Sequence, residues 1–178
     1  LKRIGNTLPN FEYGFSVALT YKDFDFSTFF QGIGSRDVWA VGQTGIPGFM
    51  PGEGWLEHQM DYWTPENTDA FYPTPTSHFW INNGQNFLRQ TRYLQNMSYL
   101  RCKNITLGYT VPEKWMKVIT FTSGRIYVSA ENLFEFDHTN IPVDPETTEK
   151  AAASNGEYKF GKSYPFMRSI SFGVQLTF

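Results

Sequence analysis

The sequence predicts an all-β protein: an antiparallel sheet of the transmembrane β-barrel kind, with long loops at one end. Three observations carry that expectation. Apolar and small polar residues alternate with period two in several separate segments. The connections between those segments run short, long, short, long. The apolar faces are almost free of charge, while the opposite faces are small and only weakly charged, which suits a lumen better than an open aqueous surface.

The first segment is FEYGFSVALTY, residues 11–21, where Phe11, Tyr13, Phe15, Val17, Leu19 and Tyr21 alternate with Glu12, Gly14, Ser16, Ala18 and Thr20. Residues 24–32 follow, with Phe24, Phe26 and Phe30 on one side and Asp25, Ser27 and Gln31 on the other. The parity switches from odd to even across Lys22–Asp23, as a two-residue hairpin turn requires, so Tyr21 and Phe24 share a face.

From 33 to 96 the pattern dissolves into Gly, Pro and aromatic residues, including Trp39, Trp55, Trp63 and Trp80. A connection this long is functional or has structure of its own. Two readings stand: an aromatic loop core, or ring faces that contact substrate or a partner. Residues 99–111 restore the alternation through Ile105, Leu107, Tyr109 and Val111, and VPEKWMKV reads as a short helical turn with Pro112 near its first position. Residues 124–136 form a fourth strand; its parity becomes irregular after Ala130, and Asn132 marks a candidate bulge. A second long loop covers 137–164. The strand at 166–178 closes the sequence with Ile170, Phe172, Val174, Leu176 and Phe178 on one side.

Composition excludes several functions. The 178 residues carry a formal net charge of −2 with no basic run, which argues against nucleic acid. Nowhere do eighteen apolar residues run together, so no transmembrane helix is expected, although barrel strands escape that test. Cys102 is the only cysteine, and His58, His78 and His138 lack ligand spacing, so neither a disulfide nor a metal site is expected. GIGSRD lacks the third glycine and the helix of a phosphate loop, and DPETTE reads as a solvated acidic loop rather than a calcium site. No nucleophile–base pair suggests an enzyme, and no cofactor is implied. The sequence starts at Leu1 without Met or a signal peptide, as expected of a processed N-terminus or a piece of a longer chain.

The blocks NFEYGFSVALTYKDFDFSTFFQG, DYWTPENTDAFYP, YLRCKNITLGYTVPEKW, RIYVSAENLFEF and SISFGVQLTF resemble, in this order and over nearly the whole chain, the SusC/RagA-like TonB-dependent outer-membrane transporters of Bacteroidota. The resemblance implies a barrel of about 22 strands around an N-terminal plug, a size class whose lumen is plugged. Residues 1–178 would then supply its last five strands, with the plug outside this chain. It further implies a multi-pass barrel in outer-membrane lipid and a SusD-like lipoprotein over the outer mouth. Glycans or peptides would be imported with energy delivered by TonB through the missing N-terminal part. The family's last strand resembles an assembly signal, a polar residue, a glycine two positions on, then an apolar and a final aromatic residue; Ser171, Gly173, Leu176 and Phe178 match it. Two rivals remain: a passive porin-like barrel, and a soluble all-β carbohydrate-binding module using the loop tryptophans as sugar platforms.

Overall fold

A computed structural model describes residues 2–40, 42–48, 52, 54–74, 84–86, 88–147 and 160–178. The strands are β1 (Phe11–Tyr21), β2 (Phe24–Gly34), β3 (Asp37–Trp39), β4 (Leu94–Asn96), β5 (Tyr99–Val111), β6 (Ser123–Glu131), β7 (Glu135–Asp137) and β8 (Ser169–Thr177). Among the described residues two short α-helices accompany them, α1 (Gly42–Gly45) and α2 (Glu113–Met116). The chain forms two compact units. A sheet unit takes Phe11–Gly34, Tyr99–Phe136 and Phe166–Phe178; a loop unit takes Leu1–Asn10, Ser35–Ser98 and Asp137–Pro165.

The sheet runs β1-β2-β5-β6-β8 with antiparallel neighbours, and β7 pairs with β5 off that path. Tyr21 pairs with Phe24 across Lys22–Asp23, and the hairpin register holds as far as Phe11 opposite Gly34. Lys22 takes up the tight reversal at φ +52.

Register turns the separate alternations into two faces. One row across the sheet reads Leu19, Phe26, Leu107, Val128, Phe172; the neighbouring row reads Ala18, Ser27, Thr106, Ser129, Ser171. Side chains one residue apart point to opposite faces, so the first row belongs to an apolar face and the second to a polar one. Thr28 interrupts the apolar face, but its hydroxyl donates to the Asn104 carbonyl at 2.9 Å, which satisfies it locally.

The pairing of β2 with β5 slips once. Phe29 faces Asn104, Phe30 faces Cys102, and Lys103 between them has no β2 partner, a one-residue bulge. Strict alternation counted back from Ile105 would put Lys103 and Arg101 on the apolar face. After the bulge, Cys102 and Leu100 occupy it instead, opposite Phe30 and Gly32, while Arg101 faces Gln31 on the polar side. There the Arg101 Nε donates to Glu135 at 2.8 Å.

Three strands differ in their bounds from those expected. β2 continues to Gly34 rather than ending at 32. β8 begins at Ser169 rather than 166. The fourth strand does not run to 136: it stops at Glu131, Asn132 turns the chain at φ +49, and the segment pairs again with β5 as β7. The Cys102 N–H donates to the Phe134 carbonyl at 3.0 Å at that point.

The loop unit has a core of its own. Val38, Ala40, Met97, Ile141 and Phe160 form one buried cluster, and Ile46, Tyr72 and Tyr93 a second. β3 and β4 pair as a separate two-stranded sheet. Buried amides satisfy the irregular backbone: Gln59 donates to the Gln43 carbonyl at 2.5 Å and accepts from the Leu56 N–H at 3.0 Å, while Gln95 accepts from the Asn140 N–H at 3.0 Å. The described residues between β2 and β5 are therefore organised, although no period announces it.

Candidate functional site

Within the loop unit, DYWTPENTDAFYP closes on itself. The Asp61 carboxylate accepts from the Phe71 N–H at 3.0 Å and from the Asn67 amide at 3.1 Å. These two donors, the Phe71 N–H first, hold its pKa below the ordinary carboxylate value. The Thr64 hydroxyl accepts from the backbone of Asn67 at 3.1 Å, and single bridges join Tyr62 to Tyr72 and Thr64 to Asn67. The resulting knot presents Trp63, 42% exposed, to a cleft of about 680 Å³.

Trp63, Asp69, Thr74, Gln90, Arg92 and Tyr93 are among the residues lining that cleft. Arg92 is held by its own loop: Nη1 donates to the Phe71 carbonyl at 2.8 Å, and the guanidinium lies 5.8 Å over the Phe71 ring. Tyr72 and Tyr93 stack beneath, centroids 6.2 Å apart. Burial pushes the Tyr72 phenol up to about 12 and raises Tyr93 as well. A flat aromatic face beside amides, hydroxyls and one carboxylate can stack on and hydrogen-bond a polar ligand or a partner's loop.

The expected tryptophan contacts separate. Trp39 packs against both buried clusters with Arg89 5.3 Å over its ring, so its surroundings are those of a core residue. Trp55 is half-buried and meets Tyr62 edge-on at 5.6 Å. Trp63 alone of these three lines the cleft. Trp80 lies outside the described residues, as does His78. His58 pairs with the Thr44 carbonyl and His138 with the Ser98 hydroxyl, well apart in sequence and in partners.

In the sheet unit, Ser171 and Gly173 sit on the polar face opposite Ser129 and Tyr127; Leu176 is on the apolar face and Phe178 is 98% exposed. Two arrangements there escaped the sequence reading. The Tyr127 ring covers Gly173, where a Cβ would collide with it. Arg125 on β6 reaches across Gly108 of β5 to Asp25 on β2, with Nε–Oδ1 2.9 Å and Nη2–Oδ2 2.5 Å. Small residues opposite large polar ones are the only sequence signal of either.

Among the described residues the fold is a mostly antiparallel sheet with little helix, the fold of TonB-dependent receptor barrels. No family model matches the chain. The TonB-dependent receptor P3 of Formosa agariphila is 29% identical over 187 residues, covering 99% of this chain and 17% of that protein. The TonB-dependent receptor SusC of Bacteroides thetaiotaomicron is 31% identical over 100 residues, 54% of this chain and 9% of that protein. The solved RagAB peptide transporter superposes with a TM-score of 0.71 at 24% identity, covering 98% of this chain and 18% of that one. The chain thus spans about a sixth of the length of the receptor and transporter chains it matches nearly end to end. Over nearly its whole length it is similar to a segment of SusC/RagA-like TonB-dependent receptors.

Proposed function

We propose that residues 1–178 form the C-terminal wall and outer loops of an outer-membrane transporter that imports glycans or peptides. TonB supplies the energy, and a SusD-like lipoprotein covers the outer mouth. The apolar face of the sheet carries this reading: Leu19 is 62% exposed, Phe172 85% and Val174 66%, in rows that no charged residue enters. A lipid-facing wall accounts for such a face. A soluble sugar-binding module would have to fold it inward.

In this reading the sheet belongs to a closed barrel of about 22 strands. The connections 35–98 and 132–168 leave one end of the sheet, outside the cell, and Lys22–Asp23 and 112–122 the other. Trp63 and its cleft meet cargo or lipoprotein; Trp55 and Trp80 remain candidate contacts. Ser171, Gly173, Leu176 and Phe178 form the assembly signal.

The test is uptake of labelled oligosaccharides and peptides by cells carrying the full-length protein, with TonB intact or inactivated. Uptake that depends on both supports the proposal. Uptake that persists without TonB identifies a passive porin. Protease added to intact cells should cut within 33–96 or 137–164; cuts confined to Lys22–Asp23 and 112–122 would invert the topology.

A further inference from the structure

The connection between β5 and β6 is short, yet it carries a group of well-exposed apolar side chains outside the strands. It consists of α2 and a following 3-10 turn, Lys117–Ile119. Trp115, Val118 and Ile119 recur at i, i+3 and i+4, which places them on one helical side, and they are 64%, 83% and 51% exposed. The segment's charges are two lysines against one glutamate, and Lys117 pairs with Glu113 at 2.8 Å.

The direction in which this turn folds is recorded by Gly124. Gly124 pairs with Val111 on one side and Leu176 on the other, so it lies on the apolar face. Met116, only 7% exposed, packs its sulfur over Gly124, where a Cβ would also meet Leu176 at 3.3 Å. The turn is therefore bent over the apolar face, not over the polar one. It is pinned there: the Phe121 N–H donates to the Met116 carbonyl at 3.1 Å, and the Thr122 N–H to the Thr177 carbonyl at 2.7 Å. Trp115, Val118 and Ile119 extend the apolar face beyond the strand ends.

We propose that this turn is a lipid-binding foot. Trp115, Val118 and Ile119 enter the headgroup–acyl boundary of the leaflet at the short-turn end of the sheet, and Lys114 and Lys117 face phospholipid phosphates. The occupant is phospholipid because the patch continues the lipid-facing wall, and because an indole among aliphatics flanked by lysines is the chemistry of a membrane interface. The inference rests on the apolar face being lipid-facing, as proposed above.

The test uses the full-length protein in vesicles of phosphatidylethanolamine and phosphatidylglycerol. Spin labels are placed one at a time by Val118→Cys, Ile119→Cys, Glu113→Cys and, on the wall, Val174→Cys. Unsubstituted protein, whose Cys102 is buried, is the blank. Collision with oxygen, which concentrates in lipid, is compared with collision with a water-soluble nickel chelate. Positions 118 and 119 should show an oxygen-to-nickel ratio several-fold above position 113 and near that of 174. Ratios at 118 and 119 equal to that at 113, with 174 still lipid-like, overturn the foot and leave the wall standing. A wet 174 overturns the wall reading itself. Closure of 118 and 119 to both quenchers identifies a protein partner and also overturns the foot.

Discussion

At the scale of residues, two glycines on the polar face do work that a larger residue would prevent. Gly173 receives the Tyr127 ring, and Gly108 lets the Arg125–Asp25 pair cross a whole strand. Removing the ring with Tyr127→Ala should cost about 0.2–1 kcal/mol, the range of a cross-strand pair. Tyr127→Phe, which keeps the ring, should cost less, and Gly173→Val should cost more because its side chain occupies the ring's place. Urea unfolding of the full-length protein, followed by its shift in electrophoretic mobility, orders the three. Tyr72 sets a second expectation. Its phenol is raised from 10.0 to about 12, chiefly by burial. Below pH 10 both folded and unfolded loops keep the proton; between 10 and 12 only the folded one does. Loop stability should therefore be undiminished below pH 10 and fall as pH rises through 12. Protease sensitivity of the loops across that range, with Tyr72→Phe flattening the alkaline change, checks the sign. Neither glycine role was legible beforehand, because a slot is a property of two strands in register and the sequence shows each strand alone.

At the scale of elements, period two was read easily and the register made it whole. The hairpin at Lys22–Asp23 followed from parity alone, since the flanking residues of a two-residue turn must share a face. The bulge at Lys103 did not, because a single inserted residue inside a polar stretch leaves no mark on composition. Its effect is large: without it Arg101 would stand among Tyr13, Phe15 and Phe30. The loop unit was illegible for a different reason, since buried Gln59 and Gln95 and scattered aromatics have no period to detect. The sheet faces give a direct expectation. Val17→Arg on the apolar face should destabilise a lipid-embedded wall by about 2–4 kcal/mol, whereas Ser16→Arg on the polar face should cost far less. Folding of the full-length protein into lipid vesicles at graded urea measures the difference. Equal costs would mean that the apolar face does not meet lipid.

At the scale of the whole molecule, the last strand is a test of assembly. Phe178 contributes little packing at 98% exposure, so its loss would scarcely disturb a soluble fold. If Ser171, Gly173, Leu176 and Phe178 are read during insertion, deleting Phe178 or changing it to Asp should sharply lower the full-length protein in the outer-membrane fraction. Thr177→Ala should do much less. Normal levels of the Phe178 deletion would remove the assembly role. The loop unit has a consequence of another kind, for inheritance. Its buried cluster joins Val38 and Met97 from one long connection to Ile141 and Phe160 from the other. A gene exchange that imports only one of these loops delivers half a core and an orphaned apolar surface. The two connections are bound to travel together, so if the protein imports cargo as proposed, new specificities in such a lineage should arise by paired replacement, or by point changes such as those around Trp63 that leave the shared core intact.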